Sequence, residues 1–132
     1  AGADGTSAGI RAFREQHQLR KVHFFKNMEG KDFLELLMHS DCLIGNSSVG
    51  IRECAFLGIP VVNIGSRQNR RDRGGNSVDV NYSQQEIEEA IIKAVQKGST
   101  TPSVIYGNGS AGKKIADLLA DVPLRFHKTI VY

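Results

Sequence analysis

Short apolar runs alternate with segments of helical periodicity along most of this chain, and nothing else in it constrains the fold as tightly. Cys42-Leu43-Ile44-Gly45 and Ile59-Pro60-Val61-Val62-Asn63-Ile64-Gly65 are nearly continuous hydrophobic runs. Strands read this way when both faces of a parallel sheet are covered. Val22-His23-Phe24-Phe25 and Ser77-Val78-Asp79-Val80 read as two further short strands. Helices are predicted over residues 7–18, with Ile10, Phe13 and His17 on one face, and over Glu29 to His39, Val49 to Leu57 and Ala111 to Leu119. Another runs from a Ser83 cap, with Glu86 in the capping-box position, to about Lys97. Gly58 suits the left-handed end of the 49–57 helix, and Pro60 is tolerable at the start of a strand. Gly74-Gly75-Asn76 makes a turn, and a loop with Pro102 leads to Val104–Gly107. Helix and strand in alternation predict an α/β fold, a doubly wound parallel sheet. Residues 1–122 form the predicted domain, and 123–132, lacking clear periodicity, an extended tail.

With 132 residues, 40% of them hydrophobic and 23% charged, the chain has the composition of one globular domain, which excludes disorder. Much of the net charge of +3 traces to Arg67, Arg70, Arg71 and Arg73, a local anion site more than a nucleic-acid surface. No nucleic acid or membrane partner is expected, since the longest apolar run, near Gly58 to Gly65, is too short to span a bilayer. Cys42 and Cys54 lie in apolar segments without metal-ligand spacing. They read as buried reduced thiols of a cytoplasmic protein, and neither metal nor cofactor is expected. Residues 1–20 lack the pattern of a secretory signal, and a start at Ala1 suggests a fragment or a processed chain.

The strongest local chemistry lies at Ile44-Gly45-Asn46-Ser47-Ser48-Val49-Gly50, where an apolar strand ends, small polar residues turn the chain and a helix begins. Unpaired amides and the dipole at such a helix start attract anions. Ser47 and Ser48 add hydroxyl donors, and Gly50 would let a ligand approach the backbone. The competing reading is that Ser48 merely caps the helix. The spacing is neither that of a Walker loop nor that of a dinucleotide fingerprint. Glu53 stands early on the same helix, where it could accept hydrogen bonds from sugar hydroxyls or simply complement the dipole. Parallel strand neighbours would bring the loop Gly65 to Arg73 to the same sheet edge, with guanidinium forks suited to phosphate. None of His17, His23, His39 and His127 sits in an evident acid–base pair.

Read together, Gly45-Asn46-Ser47-Ser48-Val49-Gly50-Ile51-Arg52-Glu53 and Gly58 through Gln68 resemble the UDP-N-acetylglucosamine 2-epimerase family. Arg71, Asn76 to Val80 and Ile105 to Gly109 add to the resemblance, which covers roughly residues 3 to 120. The serine pair is similar to the hydrolysing branch, since the other branch carries Asp-Ser-Gly-Gly there. The resemblance implies the Rossmann-like C-terminal half of a glycosyltransferase-B-type fold, with the acids and histidine of catalysis in an N-terminal half absent from this chain. It implies that Asn46, Ser47, Ser48 and Gly50 surround a UDP diphosphate, that Glu53 meets the ribose and Arg67 the UDP, and that Met28 lies by the uracil through its backbone. The implied partners are UDP-N-acetylglucosamine, the missing domain and further copies of the full-length protein. The implied reaction yields N-acetylmannosamine and UDP for sialic-acid synthesis, and this chain alone would be inactive. A UDP-sugar glycosyltransferase domain and a non-catalytic binding or assembly module remain the alternatives.

Overall fold

A computed structural model describes residues 3–17 and 21–123. The expected tail, apart from Pro123, and His127 lie outside the described residues. The chain falls into two compact units, Ala1–Phe33 and Leu34–Tyr132.

The first unit contains α1 (Ala3–Gln16). This helix reaches further back than residue 7, with Asp4 in its first turn and Arg14 in its last, each sign complementing the helix dipole. Phe13 and His17 stack at 4.6 Å between ring centroids, and the Arg14 guanidinium lies 4.7 Å from the Phe24 ring centroid. Val22–Phe25, predicted as a strand, is irregular. Its residues have strand propensity, but among the described residues no ladder partner takes up their N–H and C=O groups.

Next come α2 (Gly30–Met38), β1 (Leu43–Gly45), α3 (Ser48–Ile51), α4 (Glu53–Leu57), β2 (Val61–Ile64), β3 (Ser77–Val80), α5 (Gln84–Lys97) and α6 (Ala111–Asp121). The three strands form a parallel sheet in the order β1-β2-β3, with Leu43 opposite Val61 and Val61 opposite Ser77. Successive side chains of β2 point to opposite faces. Val61 meets α3 on one face, where Gly50 packs. Val62 meets α5 on the other, in a cluster with Ala90 and Ala94 flanked by Cys42, Ile64, Val80 and Ile91. Both faces are thus covered, as the alternation predicts, and β2 is buried through Val61, Val62 and Asn63.

The predicted 49–57 helix is broken at Arg52 (φ −106°, ψ −75°) into α3 and α4. The break falls where the Gly50 carbonyl accepts a hydrogen bond from Asn76 Nδ2 at 3.0 Å, a tertiary contact that helix propensity does not register. Gly58 ends α4 at φ 70°, in the left-handed conformation expected of it. Ser83 caps α5 by accepting from Glu86 N, while the Glu86 carboxylate reaches back to Asn81 N rather than to the cap residue. Val104–Gly107 closes into a turn, with Gly107 N donating to Val104 O at 2.8 Å. No described helix is long and apolar enough to cross a membrane.

Candidate functional site

Because β1 and β2 are parallel neighbours, their carboxyl ends open on one edge of the sheet, and the loops that follow them lie side by side. β1 ends on Gly45 and β2 is followed by Gly65, and the φ of each favours glycine, at 143° and 75°. The two loops are tied together at a single carbonyl. Asn46 O accepts from Gln68 Nε2 at 2.6 Å and from Arg67 Nη1 at 3.3 Å. Gln68 is buried, whereas Arg67, Asn46 and Ser47 are exposed and Ser48 is half-buried. The guanidinium of Arg67 therefore stands at the residue that introduces the serine pair.

Ser47, not Ser48, is the N-cap of α3, and its hydroxyl accepts from Val49 N at a long 3.4 Å. That bond occupies one acceptor site of Ser47 and leaves its hydroxyl proton available to donate. Gly50 has a packing role beyond the one expected of it. It is buried, and a Cβ added to it would lie 2.8 Å from Val61 Cγ1 and 3.6 Å from Leu43 Cδ2. Its missing side chain lets α3 approach the sheet, so the space above it is filled by protein. Met28 belongs to the first unit, where its N–H donates to Asn27 Oδ1 at 3.0 Å.

Glu53 opens α4, and its Oε2 is buried with no hydrogen-bond partner among the described residues. The residue lines a concavity of about 330 Å³ together with Leu34, Arg52, Phe56, Ser103 and Tyr106. An unpartnered carboxylate oxygen in a mostly apolar wall is costly unless a donor reaches it, and hydroxyl groups are suitable donors. Burial, then the Glu53 charge, then Cys42, pushes the adjacent Cys54 thiol up to about 11. Burial and then Asp41 raise Cys42 against a hydrogen bond with the Val62 backbone. Both cysteines are free, and at neutral pH they are protonated and poorly nucleophilic.

The four arginines divide. Arg67 faces the serine loop, Arg70 and Arg71 are exposed, and Arg73 turns inward to the Gln68 carbonyl and Asp79. Arg70 is held at φ 64°, a left-handed conformation costing roughly 1 kcal/mol in a non-glycine residue. Sequence reasoning missed the polar residues beneath these loops. Asn63 and Asp79 were read as ordinary strand positions, yet each interrupts a short apolar strand at matching register. That pairing of polar interruptions was the available signal. Among the described residues no group of three His, Cys, Asp or Glu side chains is placed to hold a metal.

Hydroxyls and a guanidinium on adjoining loops suit anionic oxygens, and the buried Glu53 carboxylate suits hydroxyl donors, although the residues lining its concavity do not include Ser47, Ser48 or Arg67. Residues 3–120 match the UDP-N-acetylglucosamine 2-epimerase family. UDP-N,N'-diacetylbacillosamine 2-epimerase (hydrolyzing) of Legionella pneumophila is 37% identical over 103 residues, covering 78% of this chain and 27% of that protein. UDP-N-acetylglucosamine 2-epimerase of Neisseria meningitidis is 32% identical over 94 residues, covering 71% and 25%. Polysialic acid biosynthesis protein P7 of Escherichia coli is 30% identical over 106 residues, covering 74% and 26%. The chain thus spans about a quarter of the length of the curated relatives it matches. By this match along most of its own length, the chain belongs to the UDP-N-acetylglucosamine 2-epimerase family.

Proposed function

We propose that this chain is the nucleotide-binding half of a hydrolysing UDP-N-acetylglucosamine 2-epimerase of the sialic-acid branch, a cytoplasmic homo-oligomer that needs no cofactor. The observation that carries the reading is the Asn46 carbonyl, on which Arg67 of one loop meets the start of the serine pair of the other. In the full reaction UDP is eliminated from UDP-N-acetylglucosamine to leave a glycal. Water then adds with inversion at C2, and N-acetylmannosamine is released. Elimination places negative charge on the departing diphosphate. Ser47 and Ser48 donate to its oxygens while Arg67 offsets the charge, and donors preset by the fold stabilise that charge without reorganising. Glu53 accepts from the ribose hydroxyls, which gives its buried Oε2 the donor it lacks. Met28 meets the uracil through its backbone, and Asn46 and Gly50 shape the diphosphate loop. Proton transfer at C2 falls to acids and a histidine in the other half of the enzyme.

Calorimetry with UDP tests this site. The purified chain is expected to give a binding isotherm that Ser47→Ala weakens about tenfold, as loss of one hydrogen bond to a charged group predicts. Absence of heat from the unmodified chain, or an isotherm untouched by Ser47→Ala, would overturn the assignment. A second reading of the sugar has its own support, because the Legionella relative is named for a diacetylbacillosamine substrate. Assays of the full-length enzyme with both UDP-sugars separate the two. A glycoside in place of a free sugar would point instead to transfer.

A further inference from the structure

A line of polar side chains runs beneath the serine loop, and it begins on the last strand of the sheet. Asn63 and Asp79 are register partners across β2 and β3, and Asn63 Nδ2 donates to Asp79 Oδ1 at 2.6 Å. The same carboxylate oxygen accepts from Arg73 Nη2 at 3.3 Å. That nitrogen also donates to the Gln68 carbonyl at 2.8 Å, while Arg73 Nη1 donates to the Arg71 carbonyl at 2.8 Å. Gln68 completes the line through its 2.6 Å bond to the Asn46 carbonyl, one residue before Ser47.

Burial shows that these groups are built in. Asn63 is 1% exposed and Gln68 2%, and each donates through its side-chain amide nitrogen, while Gln68 Oε1 and Arg73 Nε find no partner among the described residues. The Arg73 and Asp79 side chains are 22% and 51% exposed. At that exposure an ion pair contributes little energy, and its value lies in where it holds the guanidinium. A planar fork can bond two carbonyls and a carboxylate at once, which an ammonium on a flexible stem does poorly. Loop residues 66–73 have no sheet or helix ladder of their own, and these bonds supply the missing restraint.

We propose that Asn63, Asp79, Arg73 and Gln68 are positioning residues that, through the Asn46 carbonyl, set where the Ser47 and Ser48 hydroxyls and the Arg67 guanidinium stand. The far strand thereby governs recognition of a diphosphate that it does not touch. This inference rests on the diphosphate reading of the site.

The test uses the purified chain with Asp79→Asn, which keeps the shape of Asp79 but removes its charge, and with Arg73→Lys, which keeps the cation but loses the fork. Each variant is titrated with UDP and with uridine, and amide resonances of Ser47 and Ser48 are followed without ligand. Both variants are expected to shift those amides and to weaken UDP about tenfold while uridine binding holds, the loss of one well-placed charged hydrogen bond. A merely structural role would weaken UDP and uridine together, and that outcome overturns the proposal. So does an unchanged pair of amides, whatever the titrations show. Shifted amides in a chain that binds UDP no better than uridine would uphold the positioning and strike down the diphosphate reading alone. Should Asp79→Asn fail to fold, Arg73→Lys decides by the same criteria.

Discussion

At Gly50 a single absent methyl group sets how closely α3 lies on the sheet. A Cβ there would stand 2.8 Å from Val61 Cγ1, closer than packed atoms tolerate, and Val61 sits in the buried central strand. Gly50→Ala is therefore expected to destabilise the chain by about 1–3 kcal/mol, the usual range for overpacking. Urea unfolding measures the loss. A stabilised or neutral variant would mean that Val61 can yield, and that glycine has another reason to be there. The exposed partners of the site behave differently, because Ser47 and Arg67 face solvent and their replacement changes binding more than stability.

Among the elements, the interrupted helix α3–α4 depends on a residue far along the chain. Asn76 Nδ2 donates at 3.0 Å both to Gly50 O and to Ile59 O, joining the helix to the start of β2. Asn76→Leu leaves two carbonyls short of a donor, and a cost of about 2–3 kcal/mol is expected in the same unfolding experiment. A cost below about 0.5 kcal/mol would show that other donors replace it. This pairing also marks where sequence reasoning stops. The strand, loop and helix around Ser47 were legible because apolar run, turn and cap follow one another locally. Arg67 was legible too, since parallel strands bring their terminal loops to one edge. Neither the break at Arg52 nor the polar line from Asn63 to Asn46 could be read that way. Both depend on which residues of separate elements come face to face, and register and side-chain direction fix that only in the folded sheet. The packing of Gly50 against Val61 was missed for the same reason, because packing partners are not visible in a run of letters. The strand expected at Val22–Phe25 shows the converse, a propensity satisfied by no ladder among the described residues.

On the scale of the whole molecule, family membership and completeness are separate matters. The chain aligns with about a quarter of each curated relative, and the groups proposed for proton transfer are assigned to the remainder. Purified alone, it is expected to release no N-acetylmannosamine from UDP-N-acetylglucosamine, while the full-length protein does. A colorimetric or chromatographic assay for the free sugar checks both halves of that statement, and turnover by the isolated chain would show that its own residues suffice. The order of the sheet has a consequence for how the molecule reaches its fold. Leu43 pairs with Val61 and Val61 with Ser77, so each strand meets the next one made. The closing loops are under about twenty residues long, and their entropy cost is correspondingly small. Parallel sheets as a class form slowly, and closures this short keep the contact order of this one low. On a ribosome, the strand carrying Asp79 would then dock last, and the line of bonds reaching to Asn46 would be completed only as the sheet closes.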